Sequence, residues 1–311
     1  MTLYEYLHKN IYAKLFGKTW PKWSGGILLA LLNILFFLYV MPLGGIYPAI
    51  ADWGIWIFRL VGFNAEPPWG SLEVPWLSLT SVLTVGLILG FFISSLLSKQ
   101  FKIRKDTKGG YIQAFIGGIL MGIGSFLSGA CIVGGFFSSV MSLSLSGFYM
   151  MTGLIIGGYF GGKLMIWQGK KKAEKIVLDF KPVAKTPDKH EYKTRQPMIG
   201  LFATIVLFVI AAAYVMKGRN LLGGVLIFSA AFGMVFQRSA FCMTAAFREI
   251  FTTRANEMMR GLLLSLMIGV IGFTIIKSNG FRPAEMLILP AGWATLAGGV
   301  LFGFGMVITG G

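Results

Sequence analysis

A glycine-spaced apolar stretch, Gly117 to Cys131, occurs twice in this chain. Slid by 181 positions, Gly117, Gly118, Gly122, Gly124 and Gly129 fall on Gly298, Gly299, Gly303, Gly305 and Gly310. Ser128 then meets Thr309 and Ala130 meets Gly311, while Cys131 would be answered by position 312. Each copy reads as a close-packing helix that stops on two small residues. Any fold proposed for the chain must place that unit twice.

The solvent of such a helix follows from composition. Hydrophobic residues make up 55% of the 311 and charged residues 13%, and mean hydropathy is +0.73. Soluble domains carry about a quarter charged residues, so lipid is the expected surroundings. Several apolar runs approach the roughly 20 residues that cross a hydrocarbon core. Alternating segments of about ten residues, as in a membrane β-barrel, are not seen. The expected class is an all-α, polytopic membrane protein.

The net charge of +16 points to nucleic acid only if the basic residues share one folded surface. They do not. Ser98 to Lys108 holds five basic residues against Asp106, and Gly169 to Pro197 holds nine against four acids, whereas Asn64 to Pro75 carries Glu66 and Glu73 with nothing basic. Such asymmetry orients a membrane protein, basic loops staying in the cytoplasm. Residues 1–23 read as a basic amphipathic arm at the cytoplasmic interface. The first membrane half is expected at 24–168, a cytoplasmic basic linker at 169–197 and the second half at 198–311.

Spans are expected at Ser24–Met41, Trp76–Ser98, Gly110–Ala130, Gly147–Trp167, Met198–Met216, Leu221–Phe236, Met258–Ile276 and Leu287–Ile308. Ile46–Phe63 carries Asp52 and Arg59, costly at a membrane centre, and reads as a half-inserted or interfacial helix before the Pro67–Gly70 turn. Ile132–Ser146 is too short to cross. Counting crossings sends the first glycine-rich helix outward and its copy inward. Like segments with opposite orientation mark inverted-topology repeats, whose sites lie near the midplane where helices break.

Gly118 and Gly122, like Gly299 and Gly303, form small-xxx-small pairs suited to helix packing. Packing alone leaves the shared ending unexplained. Ser128-Gly129-Ala130-Cys131 and Thr309-Gly310-Gly311 put small residues where a helix stops, and irregular backbone at membrane depth is tolerated where it lines a cavity. A lone Cys131 would read as a small hydrophobe; on the break it becomes a pathway candidate. A second segment runs Gln237-Arg238-Ser239-Ala240-Phe241-Cys242-Met243-Thr244. Ser239 is expected to N-cap a short helix with Cys242 in its first turn, where anions and thiolates are favoured. Arg238 belongs either to that site or to a solvated cytoplasmic connector. His8 and His190 stand in polar segments and no acidic cluster offers metal ligands. No enzyme, metal or cofactor is therefore expected.

Three pieces, Leu127 to Cys131, Phe241-Cys242-Met243-Thr244-Ala245-Ala246-Phe247-Arg248-Glu249, and Gly298 to Gly311, together resemble the YeeE/YedE family of sulfur-compound permeases. The longer first half is similar to the YedE branch linked to selenium metabolism. The charge pattern puts the N-terminus in the cytoplasm, and the resemblance implies a bacterial inner-membrane permease that takes thiosulfate or a related sulfur or selenium anion. It implies a pathway of three cysteines, matching Cys131, Cys242 and position 312, so the second half is expected to be incomplete after Gly311. A cytoplasmic TusA-like sulfur carrier is the expected protein partner. Alternatives that the residues leave open are a selenium-compound importer, a membrane thiol redox protein using Cys131 and Cys242, and a partner-docking protein using the lysine-rich linker.

Overall fold

Helix is the only regular structure among the described residues of the computed structural model, which are 19–63, 72–102, 107–178, 195–252, 256–283 and 289–309, with backbone alone for 171–178. Residues 1–18 of the arm, the turn at 67–70, most of the linker, and Gly310 and Gly311 lie outside them. In chain order the helices are α1 Lys22–Tyr39, α2 Tyr47–Leu60, α3 Leu79–Leu97, α4 Lys108–Ser128, the short α5 Ile132–Met141, α6 Leu145–Leu178, α7 Gln196–Met216, α8 Asn220–Ser239, α9 Met243–Thr252, α10 Glu257–Ser278 and α11 Trp293–Ile308. Six are long and apolar enough to cross a bilayer: α1, α3, α4, α7, α10 and the run Asn220–Thr252 that takes in α8 and α9. The protein is an all-α, polytopic membrane protein.

Apolar side chains point outward as well as inward. Tyr111, Phe115, Ile119, Ile123 and Phe126 form one exposed face of α4, with Phe115 71% exposed. The α7 face Met198, Leu201, Phe202, Ile205 and Val209 is similarly open. Such continuous apolar surface is uncharacteristic of a soluble monomer and costs nothing against lipid tails. Six of the eight expected spans begin and end within three residues of these helices, and two boundaries differ. α6 runs on to Leu178, past the expected start of the linker at 169, because Lys170–Ala173 are good helix formers that extend a helix after its apolar run ends. α11 starts at Trp293 rather than Leu287, because Pro290 and the extended Gly292 precede it and the Thr295 hydroxyl donates to the Pro290 carbonyl at 2.6 Å. α2 has 14 residues, about 21 Å of rise, short of a crossing.

Contacts fix helix directions. The Lys22 end of α1 meets the end of α8, and Tyr39 at its other end donates to the Asn220 carbonyl where α8 begins; these two are antiparallel. α3 and α8 are parallel, with Gly86 beside Leu226, Gly90 beside Ala230 and Ser94 donating to Gln237 at 2.7 Å. α4 and α11 are antiparallel: a Cβ on Gly124 would meet Gly298 and Phe302, and one on Gly117 would meet Gly305 and Thr309. Lys22, Lys108, Arg195 and Arg260 thus gather at one end of the bundle. At the other end Trp53 donates to Ser81 and Tyr214 to the Trp76 carbonyl.

The close pair on α4 is Gly117 and Gly124, not the expected Gly118 and Gly122. Nothing lies within 4 Å of a Cβ on either of the latter. On α11 the expected pair does pack: Gly299 and Gly303 sit against Met150 and Leu154 of α6.

Candidate functional site

Two long helices end in the same way. α4 closes at Gly129 with φ 73 and ψ 0, a left-handed geometry that glycine adopts without strain. Two residues later Cys131, extended at φ −81 and ψ 177, opens α5, and its carbonyl accepts the first bond of the new helix from Gly135 N–H at 2.7 Å. α8 closes at Ala240 with φ 45 and ψ 41. Two residues later the Cys242 carbonyl accepts from Ala246 N–H at 3.1 Å and opens α9. Each thiol therefore stands at the N-cap of a short helix, where backbone N–H groups lack intrahelical partners.

Ser239 is not a cap. It is the last residue of α8, and its hydroxyl donates back to the Val235 carbonyl at 2.6 Å. The helix outlasts its apolar run by three residues and stops only where Ala240 turns left-handed; Cys242 takes the capping place. Ser128 is the equivalent of Ser239, its hydroxyl 2.8 Å from the Gly124 carbonyl and 2.8 Å from that of Ala130.

A shift of 111 positions carries Ser128, Cys131 and Phe136 to Ser239, Cys242 and Phe247, and Gly134-Gly135 to Ala245-Ala246. The same shift superimposes the limits of α4, α5 and the start of α6 on those of α8, α9 and α10 to within one residue. Phe136 and Phe247 touch edge to face, centroids 5.4 Å apart at 71°. Sequence reasoning missed this correspondence, although the pattern Ser-x-x-Cys-x-x-small-small-Phe was there to be read. α4 and α8 run in opposite directions. Cys131 lies against the turn that follows α1, beside Gly45, and the Cys242 break lies against the start of α1.

Both thiols line one cavity of about 450 Å³. One face of α4 forms a wall, Gly118, Met121, Gly122 and Ser125, and α5 and α9 supply Ile132, Val133, Met243 and Thr244. Tyr47 and Ile50 of α2 and the rings of Phe91, Phe236, Phe241 and Phe302 complete much of the rest. No ionised side chain stands among its described lining residues. The available polar chemistry is thiol, thioether, hydroxyl and backbone amide. Cys131 is 6% exposed, Cys242 is half-buried, and both are free.

The wall beside Cys131 is held by a buried polar knot. Asn33, 0% exposed in mid-α1, accepts from Leu43 N–H at 3.0 Å and donates to Ser138 of α5 at 3.2 Å. Ser138 in turn donates to the Leu43 carbonyl at 2.7 Å. This folds the chain after α1 back into the bundle. Gly45, at φ +83, then comes so close that a Cβ there would meet the Cys131 sulfur, and Gly134 abuts the Gly44 carbonyl.

Of the expected site residues, Cys131 and Cys242 share the cavity; Ser128, Gly129, Ala130, Ser239 and Arg238 form or precede the breaks without lining it. Arg238 is 1% exposed, so it is no solvated connector. Thr309 lies against Gly117, eleven residues or roughly 16 Å of helix rise from Ser128, so the two endings matched by the 181-residue shift stand apart. Gly310 and Gly311 are outside the described residues. No group of three or more His, Cys, Asp or Glu suited to a metal ion occurs among the described residues.

Comparison with known proteins gives the chain a family. The chain is 26% identical over 304 residues, 94% of its length and 74% of the relative's, to a probable transporter YedE of Escherichia coli, and equally so to that of Salmonella typhimurium. Over 109 residues, 34% of the chain and 30% of the relative, it is 34% identical to the thiosulfate transporter TsuA of Spirochaeta thermophila. No solved structure matches it. A family model described as sulphur transport matches residues 5–160 and 238–311, which takes in both cysteine breaks, and the chain belongs to that sulphur transport family.

Proposed function

We propose that the protein is a bacterial inner-membrane permease, N-terminus cytoplasmic, that passes thiosulfate or a related small sulfur anion between Cys131 and Cys242. The observation that carries this reading is that both thiols, each at the opening of a short helix, face one cavity. Thiosulfate has a soft terminal sulfur and hard oxygens. The thiols and the Met121 and Met243 thioethers suit the first; unpaired amides at the starts of α5 and α9, with the Ser125 and Thr244 hydroxyls, suit the second. The opposed units α4–α6 and α8–α10 are read as an inverted repeat with its site at the junction. The chain acts as a permease rather than an enzyme, the anion leaves chemically unchanged, and a TusA-like carrier receives it in the cytoplasm. A selenium anion of like shape competes for the same path.

The test is thiosulfate uptake by cells lacking other sulfur importers. Cys242→Ala, at wild-type amount in the membrane, is expected to abolish uptake, and Cys131→Ser to impair it because oxygen is the harder atom. Undiminished uptake by Cys242→Ala defeats the reading.

A further inference from the structure

We infer that Lys22, at the start of α1, is a positioning residue for Cys242: its ammonium holds the left-handed break at Ala240 that aims the thiol into the cavity. The effect on transport rests on the function proposed above; the effect on the thiol rests on geometry alone.

The last carbonyls of α8 have no partner within the helix. Three in succession are taken by one short segment of the N-terminal chain. Trp20 N–H donates to the Arg238 carbonyl at 2.9 Å, and Lys22 Nζ donates to Ser239 at 2.9 Å and to Ala240 at 3.0 Å. A cation at a helix C-terminus also meets the negative end of the helix dipole. Ala240 needs this support, because it holds a left-handed conformation that non-glycine residues adopt at a cost. The backbone of the break itself is closed by Phe241 N–H to the Phe236 carbonyl at 3.0 Å and by Ala240 N–H to that of Gln237 at 3.1 Å.

Packing leaves the clamp little freedom. Gly25 abuts the Ser239 side chain and Gly26 the Gly261 carbonyl, while Gly261 touches both the Lys22 backbone and the Phe241 ring. A shift of Lys22 is thereby passed to residues 240 and 241, directly before the thiol. The Cys131 break is secured differently: glycine occupies its left-handed position, and the neighbouring Ser128 hydroxyl reaches the Ala130 carbonyl. Loosening Lys22 acts on one thiol and spares the other.

These 311 residues hold two cysteines, and each is read alone with the other, and any cysteine outside them, replaced by serine. In membranes carrying the full chain, alkylation by a small methanethiosulfonate is timed at Cys242 in the Cys131→Ser background and at Cys131 in the Cys242→Ser background. Lys22→Met is expected to change the Cys242 rate several-fold and leave the Cys131 rate at its parent value, whereas Lys22→Arg keeps the cation and the Cys242 rate. If Lys22→Met does not accumulate, Lys22→Gln serves. An unchanged Cys242 rate, or parallel changes at both thiols, overturns the inference. With both cysteines present, Lys22→Met should lower thiosulfate uptake per folded molecule and Lys22→Arg restore it. A shifted Cys242 rate with uptake untouched keeps the clamp and removes the transport role given to that thiol.

Discussion

The two breaks offer a matched experiment, because equivalent left-handed positions hold glycine at 129 and alanine at 240. Exchanging them, as Gly129→Ala and Ala240→Gly, should move stability in opposite directions. At Gly129 a new Cβ would find nothing within 4 Å, so no clash enters and the backbone alone decides. Left-handed geometry costs an alanine roughly 1–2 kcal/mol. Against this, alanine restricts the unfolded chain and recovers about 0.4–1 kcal/mol. The net expectation is a loss on the order of 1 kcal/mol for Gly129→Ala and a like gain for Ala240→Gly, whose methyl is exposed and gives up little burial. In a chain of this size that is about 2 °C in the unfolding midpoint, measurable by tryptophan fluorescence in detergent micelles. Shifts of the same sign in both variants, or a neutral Gly129→Ala, would refute the claim that conformational strain distinguishes the breaks.

Two further outcomes follow from packing. Gly124→Leu should destabilise by a few kcal/mol, since a Cβ there lies 2.7 Å from Gly298 O and Phe302 N of α11; Gly122→Leu should fold normally yet block uptake by filling the cavity, and equal folding yields with equal transport in the two variants would contradict the assignment of faces. Asn33→Leu strands the buried Leu43 N–H at a cost of about 1–3 kcal/mol and should alter Cys131 alkylation while sparing Cys242, the reverse of Lys22→Met.

The spans were legible because lipid admits few alternatives to an apolar helix of the right length; Cys131 stood out because it follows small residues at the end of such a run, and Cys242 because a short helix was expected to open beside it. Other parts of the site lay beyond the pattern. The repeat at 181 positions pointed from Cys131 toward Thr309, but glycines at matching spacing make α4 and α11 packing partners, and antiparallel partners put their equivalent ends far apart. The correspondence at 111 positions keeps Ser, Cys and Phe but replaces glycines with alanines, so it stood out less than a run of glycines. Ser239 was misread because a serine near a helix boundary can cap the next helix or bond back within its own, and only the point where the backbone turns decides. Asn33 and Lys22 could not be assigned at all, since Ser138 and Ser239, which they bond across the bundle, lie 105 and 217 residues away in sequence.

A largely apolar cavity whose polar side chains are two thiols and a few hydroxyls, with helix-opening amides beside the thiols, has a consequence under the proposed function. A buried ion pair would hold a small anion in an environment where charge attraction is strong, and release would then limit the rate. Dipoles at two helix openings offset part of the desolvation cost without making so deep a well, and passage requires binding favourable enough to enter yet weak enough to leave. Such dipoles exist at membrane depth only where helices begin inside the bundle. Breaking α4 and α8 is what creates them, and Gly129, Ala240 with Lys22, and the Asn33 knot are the means by which this sequence sustains two breaks in an apolar interior.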